Sequence, residues 1–172
     1  LKGRVVFLRP LGLRLGSSIE QVAYEGDHLS EYGDVVVVSL NHRLNILGYL
    51  DLSAYGEKYY NSANVGNADM VAALHWIQDN IAGFGGDPGN VTLFGQSGGG
   101  MKVYSLMNTP AAEGLFHKGI IQSGVIEEGK KEAEDDGTAI VEALLTELKL
   151  ESVEDLETIP YYFLAEAYNK VS

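Results

Sequence analysis

Short, uninterrupted apolar runs alternate with helical segments along this 172-residue chain, and the alternation restricts the fold more than any other feature. The runs are rich in β-branched residues, as expected of strands buried on both faces. They occupy residues 5–8, 35–38, 91–94 and 119–121. Strands that alternate with helices indicate a mostly parallel sheet covered by helices on both sides. The sequence therefore predicts an α/β fold.

Helical patterns separate and follow these runs. The clearest covers about residues 69–82, where apolar residues fall on one stripe and a glycine cluster ends the helix. Further helical segments are predicted at about residues 98–107, 132–149, 153–158 and 161–170. Residues 44–68 are rich in Gly, Asn and Tyr. They are predicted to form a loop region whose length suggests a functional role.

One motif that could take part in catalysis follows the third apolar run directly. Residues 95–99 read Gly-Gln-Ser-Gly-Gly and match the G-x-S-x-G pattern of a nucleophile elbow, in the strand-to-helix context that this pattern requires. Such a sharp turn leaves no room for side chains two residues on either side of the serine, which accounts for the glycines. Ser97 is therefore the candidate nucleophile, and the Gly98 N–H is a candidate donor to an oxyanion.

Glycine-rich turns between a strand and a helix also have other uses. A phosphate-binding loop would need Gly-Lys followed by Ser or Thr, whereas Gly100 is followed by Met101 and Lys102. This spacing disfavours phosphate binding. A turn that serves packing alone remains the second alternative to the nucleophile elbow.

Several further segments resemble the type B carboxylesterase family, which includes bacterial esterases and the cholinesterases. They lie in the family's order and with its gaps over about residues 16–126, and they read NHRLNILGYL at 41–50, NVGNAD at 64–69, ALHWI at 73–77, NI at 80–81 and FGGDP at 84–88. The resemblance implies an α/β-hydrolase fold. It also implies hydrolysis of small carboxylic esters by a serine nucleophile, a histidine base and a glutamate, without a cofactor.

Individual positions carry this resemblance further. Ser97 matches the family's nucleophile and Gly98 matches the oxyanion donor that follows it, while Gln96 stands where many members have glutamate. Arg43 and Asp87 match positions that look structural. We expect them to form a buried ion pair that pins the loop before the elbow, the alternative being two solvated charges.

The chain departs from the family in two places. The family's glutamate and histidine lie far beyond the 75 residues that follow Ser97 here. Where the family has a glycine loop that supplies oxyanion donors, residues 9–13 read Arg-Pro-Leu-Gly-Leu, so only Gly12 remains as a candidate second donor. Proline has no N–H to donate. We therefore expect a partial α/β-hydrolase domain over residues 1–172, weakly active or inactive by itself.

The four histidines are predicted to be structural. His117 is the only one after Ser97, and we expect it at a strand edge or on the surface. His42 and His75 are expected to pack, and His28 to face solvent. A hydrolase that recruits His117 as its base is one alternative, and it requires His117 to come within about 2.6–3.2 Å of Ser97, or to reach it through one water.

Charge and composition limit the partners. The chain has 12 Lys and Arg against 24 Asp and Glu, a net charge of −12, which argues against nucleic acid. Most of the excess acid lies in residues 127–157, so we divide the domain into a sheet core at 1–126 and an acidic helical segment at 127–172 with a solvated face. No metal-ligand spacing, membrane span or signal peptide is recognisable.

Localisation and substrate stay open at this stage. The absence of cysteine excludes disulfides and suits a reducing compartment, so the cytoplasm is favoured. The plausible wall of a substrate pocket is tyrosine-rich, although the same residues could simply anchor the loop: Tyr49, Tyr55, Tyr59 and Tyr60.

The leading hypothesis is the nucleophile-bearing part of an esterase, and the alternative is a non-catalytic cholinesterase-like binding domain. Such a partial domain should expose sheet edges. We therefore expect either the remainder of the domain or a second copy of the chain as a partner.

Overall fold

The computed structural model describes residues 4–10, 25–124 and 137–172. These residues form two compact units. The first consists of residues 4–10, 25–44 and 66–124, and the second consists of residues 45–65 and 137–172. The expected single partial domain, with its division after residue 126, stays a prediction.

The first unit is built on a parallel sheet of four strands. In chain order they are β1 (Arg4–Pro10), β2 (Val36–Leu40), β3 (Gly86–Gln96) and β4 (Lys118–Gln122). The order across the sheet is β2-β1-β3-β4, and every adjacent pair is parallel. All four apolar runs thus form strands, and the predicted α/β class is confirmed.

Helices occur at most of the predicted positions. In chain order the α-helices of the described residues are α1 (Asp27–Gly33), α2 (Asn45–Tyr49), α3 (Val65–Asn80), α4 (Gly98–Met107), α5 (Thr138–Leu148) and α6 (Tyr161–Val171). The predicted start at 132 lies outside the described residues. Residues 153–157 form a short 3-10 helix. No helix among the described residues combines the length and the apolar character needed to cross a membrane.

The core of the first unit lies where α3 and α4 pack on the sheet. The predicted stripe of α3 is fully buried at Met70, Leu74 and Ile77. It packs with residues of β2, β3 and α4 in one cluster, which also contains Leu40, Ile81, Val91, Leu93, Val103, Leu106 and Ala112. This packing fixes α4 against β3, and the connection between them is the turn that contains Ser97.

The second unit has a separate core made of short helices. It contains Ile46 and Tyr59 together with residues of α5, α6 and the 3-10 helix at 153–157. The prediction of a loop at residues 44–68 is wrong in part, because this segment contains α2 and three 3-10 turns, and α3 begins at Val65. On α5, Val141 and Leu144 are buried while Glu142 and Glu147 are exposed, as a solvated acidic face requires.

Candidate active site

Ser97 occupies the turn between β3 and α4. Its backbone angles are φ 53° and ψ −122°, a combination that residues with a side chain rarely adopt. Its N–H donates to the carbonyl of Gln122 on β4 at 2.8 Å, and its carbonyl accepts from Met101 N–H at 3.0 Å. The residue is exposed. A strained, hydrogen-bonded turn thus presents Ser97 to solvent at the carboxyl end of the sheet.

Glycines around this turn are required by close backbone contacts. A Cβ atom on Gly95 would lie 2.3 Å from the carbonyl carbon and oxygen of Gly99. A Cβ atom on Gly124 would lie 2.7 Å from the Cα atom of Gly100 and from the Ser97 carbonyl oxygen. Distances below 3.0 Å force the backbone to move. The start of α4 therefore packs directly on the end of β3 and on the residues after β4.

Of the two candidate oxyanion donors, the structure describes Gly98 but not Gly12. Gly98 is buried and is the first residue of α4, so its N–H has no carbonyl four residues earlier in the helix to bond. The positive end of the helix dipole lies at the same place. Gly12 lies outside the described residues, and its role stays a prediction.

His117 lies at the wrong end of the sheet to act on Ser97. Its backbone N–H donates to the carbonyl of Val91 at 2.8 Å, and its Nδ1 accepts from Val91 N–H at 3.1 Å. Val91 precedes Ser97 by six residues of extended chain, which corresponds to about 20 Å at a rise of about 3.3 Å per residue. The hypothesis that His117 serves as the base is therefore wrong.

The other histidines do not contact the Ser97 hydroxyl either. His28 on α1 is exposed and His42 is buried, as expected, whereas the expected packing of His75 is wrong, because His75 on α3 is exposed. In the part of the chain that the structure describes, the Ser97 hydroxyl has no hydrogen-bond partner. None of the described groups is thus hydrogen-bonded to Ser97 as a base would be.

His42 instead forms a buried pair with Lys102 of α4. The carbonyl of Arg43 accepts a hydrogen bond from His42 Nδ1 at 2.9 Å, so the hydrogen lies on Nδ1 and Nε2 is the acceptor. Lys102 Nζ donates to that Nε2 at 2.8 Å, and burial lowers the pKa of Lys102 to about 8. Sequence reasoning missed Lys102. The only hint in the sequence is that this lysine stands next to an apolar residue, Val103, which the structure buries.

The expected ion pair between Arg43 and Asp87 is wrong. Arg43 binds Asp69 at the start of α3, with Nη2 to Oδ1 at 2.7 Å and Nε to Oδ2 at 2.9 Å. The Arg43 backbone N–H also donates to Asp69 Oδ2 at 2.8 Å. Asp87 accepts from the N–H of Gly89 at 2.8 Å and so stabilises the first residues of β3. The real pair is not buried, because the Arg43 side chain is 54% exposed.

The four tyrosines belong to the second unit and differ in exposure. Tyr59 is buried and donates from its hydroxyl to Glu157 Oε1 at 2.6 Å, so it is an anchor. Tyr60 is 79% exposed. Tyr49 lines a cavity of about 200 Å³. The other lining residues are Asn45, Ile46, Leu50, Asp51, Gly137, Ile140 and Tyr168. A role of these tyrosines as a pocket wall stays a prediction.

Sequence relatives match the greater part of this chain. A model of the carboxylesterase family matches residues 4–159. The para-nitrobenzyl esterase of Bacillus subtilis is 44% identical over 149 residues, which is 83% of this chain and 30% of that protein. Mouse carboxylesterase 1F is 46% identical over 121 residues, which is 70% of this chain and 20% of that protein.

Solved structures match almost the whole chain. An esterase from the anaerobe Clostridium hathewayi, described as able to hydrolyse aliphatic aromatic polyesters, superposes with a TM-score of 0.90 at 58% identity. That match covers 99% of this chain and 34% of the other. A carboxylesterase of Geobacillus stearothermophilus gives a TM-score of 0.86 at 36% identity, covering 99% and 36%. The chain thus spans about a third of the length of these relatives.

Proposed function

Because the chain belongs to the carboxylesterase family and has part of the α/β-hydrolase fold, we propose that it supplies the nucleophile of a carboxylic ester hydrolase. Ser97 is the nucleophile in this proposal, and the N–H of Gly98 is one donor to the oxyanion. The observation that carries the proposal is the backbone of Ser97, whose φ of 53° occurs in a turn where three glycines make close contacts: Gly95, Gly100 and Gly124.

The strain at Ser97 is the reason for preferring a catalytic role to a packing role. An unusual φ at a residue with a side chain costs of order 1–3 kcal/mol, and such strain clusters at active sites. A turn that served packing alone could place glycine at this position and avoid the cost. Instead the turn presents an exposed hydroxyl beside the first amide of α4.

In the proposed reaction, Ser97 Oγ attacks the carbonyl carbon of the ester as its proton passes to a base. The Gly98 N–H stabilises the negative oxygen of the tetrahedral intermediate, and the alcohol then leaves with a proton. Water hydrolyses the resulting acyl-serine. Because no described residue is hydrogen-bonded to the Ser97 hydroxyl, we place the base of this proposal outside the described residues. Without it, serine is a poor nucleophile at neutral pH.

The proposed substrates are small carboxylic esters, and esters with an aromatic group are the finer proposal. Two relatives support it by their descriptions, the para-nitrobenzyl esterase and the esterase that can hydrolyse aliphatic aromatic polyesters. The second of these is 58% identical to this chain, in a match that covers 99% of this chain. The corresponding proposal is that para-nitrobenzyl esters are cleaved faster than esters of short aliphatic alcohols.

Covalent labelling of the 172-residue chain tests the nucleophile without requiring turnover. The chain is incubated with a p-nitrophenyl acyl ester or a fluorophosphonate, and the modified residue is identified by mass spectrometry. We expect slow acylation at Ser97, because the elbow and the Gly98 amide are retained while the base is not. Catalysis that survives the loss of triad members is typically 10³- to 10⁴-fold over water.

Ser123 provides the matched control for this labelling. It also has a positive φ, 52°, and it is exposed one residue beyond β4. Ser97→Ala should abolish the adduct, and Ser123→Ala should leave it unchanged. Equal labelling of both serines, or none at Ser97, would contradict the proposal and favour a non-catalytic binding domain.

A further inference from the structure

Lys102 is the one charged side chain of the segment that forms the nucleophile turn. Between Asp87 and Glu113 the sequence contains no acid and no histidine, and Lys102 is its only base, although the chain as a whole has 24 Asp and Glu residues. Most of β3, the turn at Ser97 and all of α4 lie in this segment. Lys102 is nevertheless only 3% exposed. Burial of a lysine costs stability, so the charge at this position is not accounted for by packing.

The position of Lys102 on α4 directs its side chain toward the nucleophile turn. Lys102 follows Gly98, the first residue of α4, by four positions, so the two residues lie on the same face of the helix, one turn apart. Side chains of a helix lean toward its N-terminus and cover the preceding turn. The lysine side chain therefore extends back over Gly98, which has no side chain to obstruct it.

The hydrogen bond to His42 agrees with this direction. His42 lies two residues beyond Leu40, the last residue of β2, and therefore at the carboxyl end of the parallel sheet. Lys102 Nζ donates to His42 Nε2 at 2.8 Å, so the ammonium lies at this end too, and Ser97 directly follows the carboxyl end of β3. Ser97 and Lys102 are about 7.5 Å apart along the helix axis at a rise of about 1.5 Å per residue. The backward lean of the side chain brings the ammonium within about 10 Å of Ser97.

The Lys102 ammonium keeps its charge at neutral pH. His42 Nδ1 donates to the Arg43 carbonyl, which leaves Nε2 as an acceptor that favours the charged form of the lysine. Burial lowers the pKa of Lys102 to about 8, so the protonated form still predominates at pH 7. At an effective dielectric constant of about 20, a unit charge about 10 Å away changes an ionisation equilibrium by about 10-fold.

We propose that the ammonium of Lys102 stabilises negative charge at the nucleophile turn and so assists the attack of Ser97 on an ester. It acts through space, in addition to the Gly98 N–H and the N-terminus of α4, when the carbonyl oxygen of the ester becomes negative. The part of this proposal that concerns the ester rests on the proposed function. The part that concerns the charge at the turn does not.

The elements packed on α4 bring few other titratable groups to this region. These elements are β1, β3 and β4. The only charged residues of β1 are arginines, which keep their charge. The charged residues of β3 and β4 are Asp87 and Lys118, each within the first two residues of its strand and so at the opposite end of the sheet. Tyr104 of α4 itself is 41% exposed. Among the described residues of these elements and of the loop after β2, His42 is therefore the group that faces Lys102.

A thiol at position 97 measures this charge directly, because the chain contains no cysteine. In Ser97→Cys, the rate of alkylation by iodoacetamide is measured from about pH 5 to about pH 10, and its pH profile gives the pKa of the thiol. Adding Lys102→Met or Lys102→Gln should raise the pKa of this thiol by about one unit, which corresponds to the 10-fold effect. Glutamine can still donate to His42, so an equal rise in both variants identifies the charge, and not the hydrogen bond, as the cause.

Two further variants are the controls for this measurement. Lys102→Arg retains a charge, and Lys118→Met removes an exposed lysine that bonds Asn90 at the amino end of β4. Both should leave the pKa of the thiol within about 0.3 unit, because the first keeps the charge and solvent screens the second. An unchanged pKa in Lys102→Met and Lys102→Gln, or an equal rise in Lys118→Met, would overturn the proposal. A rise confined to Lys102→Met would assign the effect to the lost hydrogen bond and would overturn it as well.

Labelling of the native serine tests the part that concerns the ester. Acylation of Ser97 by a p-nitrophenyl acyl ester at neutral pH should be about 10-fold slower in Lys102→Gln than in wild type, and unchanged in Lys118→Met. Equal rates in wild type and Lys102→Gln would overturn the role of Lys102 in the reaction but not the proposed function. No adduct at Ser97 in any variant, with the thiol pKa still dependent on Lys102, would contradict the proposed function and leave the charge at the turn established.

Discussion

Gly95 carries the strictest steric requirement at the scale of single residues. Its missing side chain makes room for the backbone of Gly99 at the start of α4. Gly95→Ala should lower the free energy of unfolding by about 1–3 kcal/mol, the usual cost of overpacking, and reduce labelling of Ser97. Urea unfolding checks the first effect and mass spectrometry the second.

Gly83 is the matched control for this substitution. No atom lies within 4 Å of a Cβ atom at Gly83, and the residue is exposed. Gly83→Ala should leave stability unchanged or raise it slightly, because alanine restricts the unfolded chain. Equal losses at both positions would contradict the steric explanation of the elbow.

Lys102 should make stability depend on pH in the alkaline range. Burial lowers its pKa in the folded protein to about 8 from the ordinary 10.5, so the unfolded chain binds the proton more tightly. The free energy of unfolding should therefore rise as pH increases from about 8 to about 10.5, and fall again as pH is lowered through this range. Urea unfolding across that range measures the slope.

Two substitutions separate this effect from other alkaline titrations. Lys102→Met removes the titrating group and should remove its contribution to the rise of the free energy of unfolding with pH. Lys102→Arg keeps a charge throughout the range, since arginine does not lose its proton there, and should be least stable relative to wild type at high pH. The same slope in all three proteins would show that Lys102 does not titrate as the structure indicates.

The pair of Arg43 and Asp69 is expected to contribute little, because it is largely solvated. Arg43 hydrogen bonds lower the pKa of Asp69, so the pair's contribution is present at neutral pH and lost only as pH falls below 3.8, the ordinary value. Asp69→Asn should cost less than about 1 kcal/mol at pH 7, and high salt should reduce the difference.

Asp87→Asn serves as the control for this pair. Within the described residues, the Asp87 side chain accepts only from the backbone N–H of Gly89, and asparagine can keep that bond through its carbonyl oxygen. The difference in stability between Asp87→Asn and wild type should therefore change little with salt concentration. A larger salt effect in Asp87→Asn than in Asp69→Asn would restore the pairing expected from the sequence.

The sequence allowed Ser97 and its glycines to be recognised because the elbow is local. Gly95, Ser97 and Gly98 lie within four positions, and their spacing is itself the steric requirement. Side chains that are far apart in sequence and meet only after folding leave no such local pattern. Arg43 pairs with Asp69 rather than with Asp87, and Lys102 meets His42 across 60 residues of sequence.

At the scale of elements, continuous apolar runs located all four strands because parallel strands are buried on both faces. β4 is the informative exception, since it has this pattern and yet is exposed. The helical turns within 44–68 leave no signal in the sequence, because they are too short to show a helical period. Tyr59 in that segment is buried by tertiary contacts, and periodicity does not report these.

The contact between two 3-10 turns of the second unit gives a prediction at this scale. Tyr59 donates to Glu157 at 2.6 Å and joins the turn at Glu57–Tyr59 to the one at Val153–Glu157. Tyr59→Phe should lower the free energy of unfolding by about 0.5–1.5 kcal/mol through the lost hydrogen bond. Tyr60→Phe is the control, since Tyr60 is 79% exposed, and it should change nothing measurable by urea unfolding.

At the scale of the whole molecule, the net charge of −12 limits partners more than substrates. This charge disfavours the binding of polyanions but does not affect the binding of neutral esters. The acidic excess after residue 126 lies partly on α5, where exposed Glu147 binds Lys170 of α6 at 3.1 Å. Among the described residues, this acidic part of α5 is solvated surface of the second unit and carries no information about the chemistry at Ser97.

The bond between Ser97 and Gln122 also has a consequence for the order of folding. The strand, turn, helix and strand that shape the elbow all come from residues 86–124, so their contacts close short loops at little entropic cost. The elbow can consequently assemble early, as a local nucleus. Pulsed hydrogen exchange during refolding should protect the Ser97 amide together with α4, and protection that appears only after the amides of β1 would contradict this order.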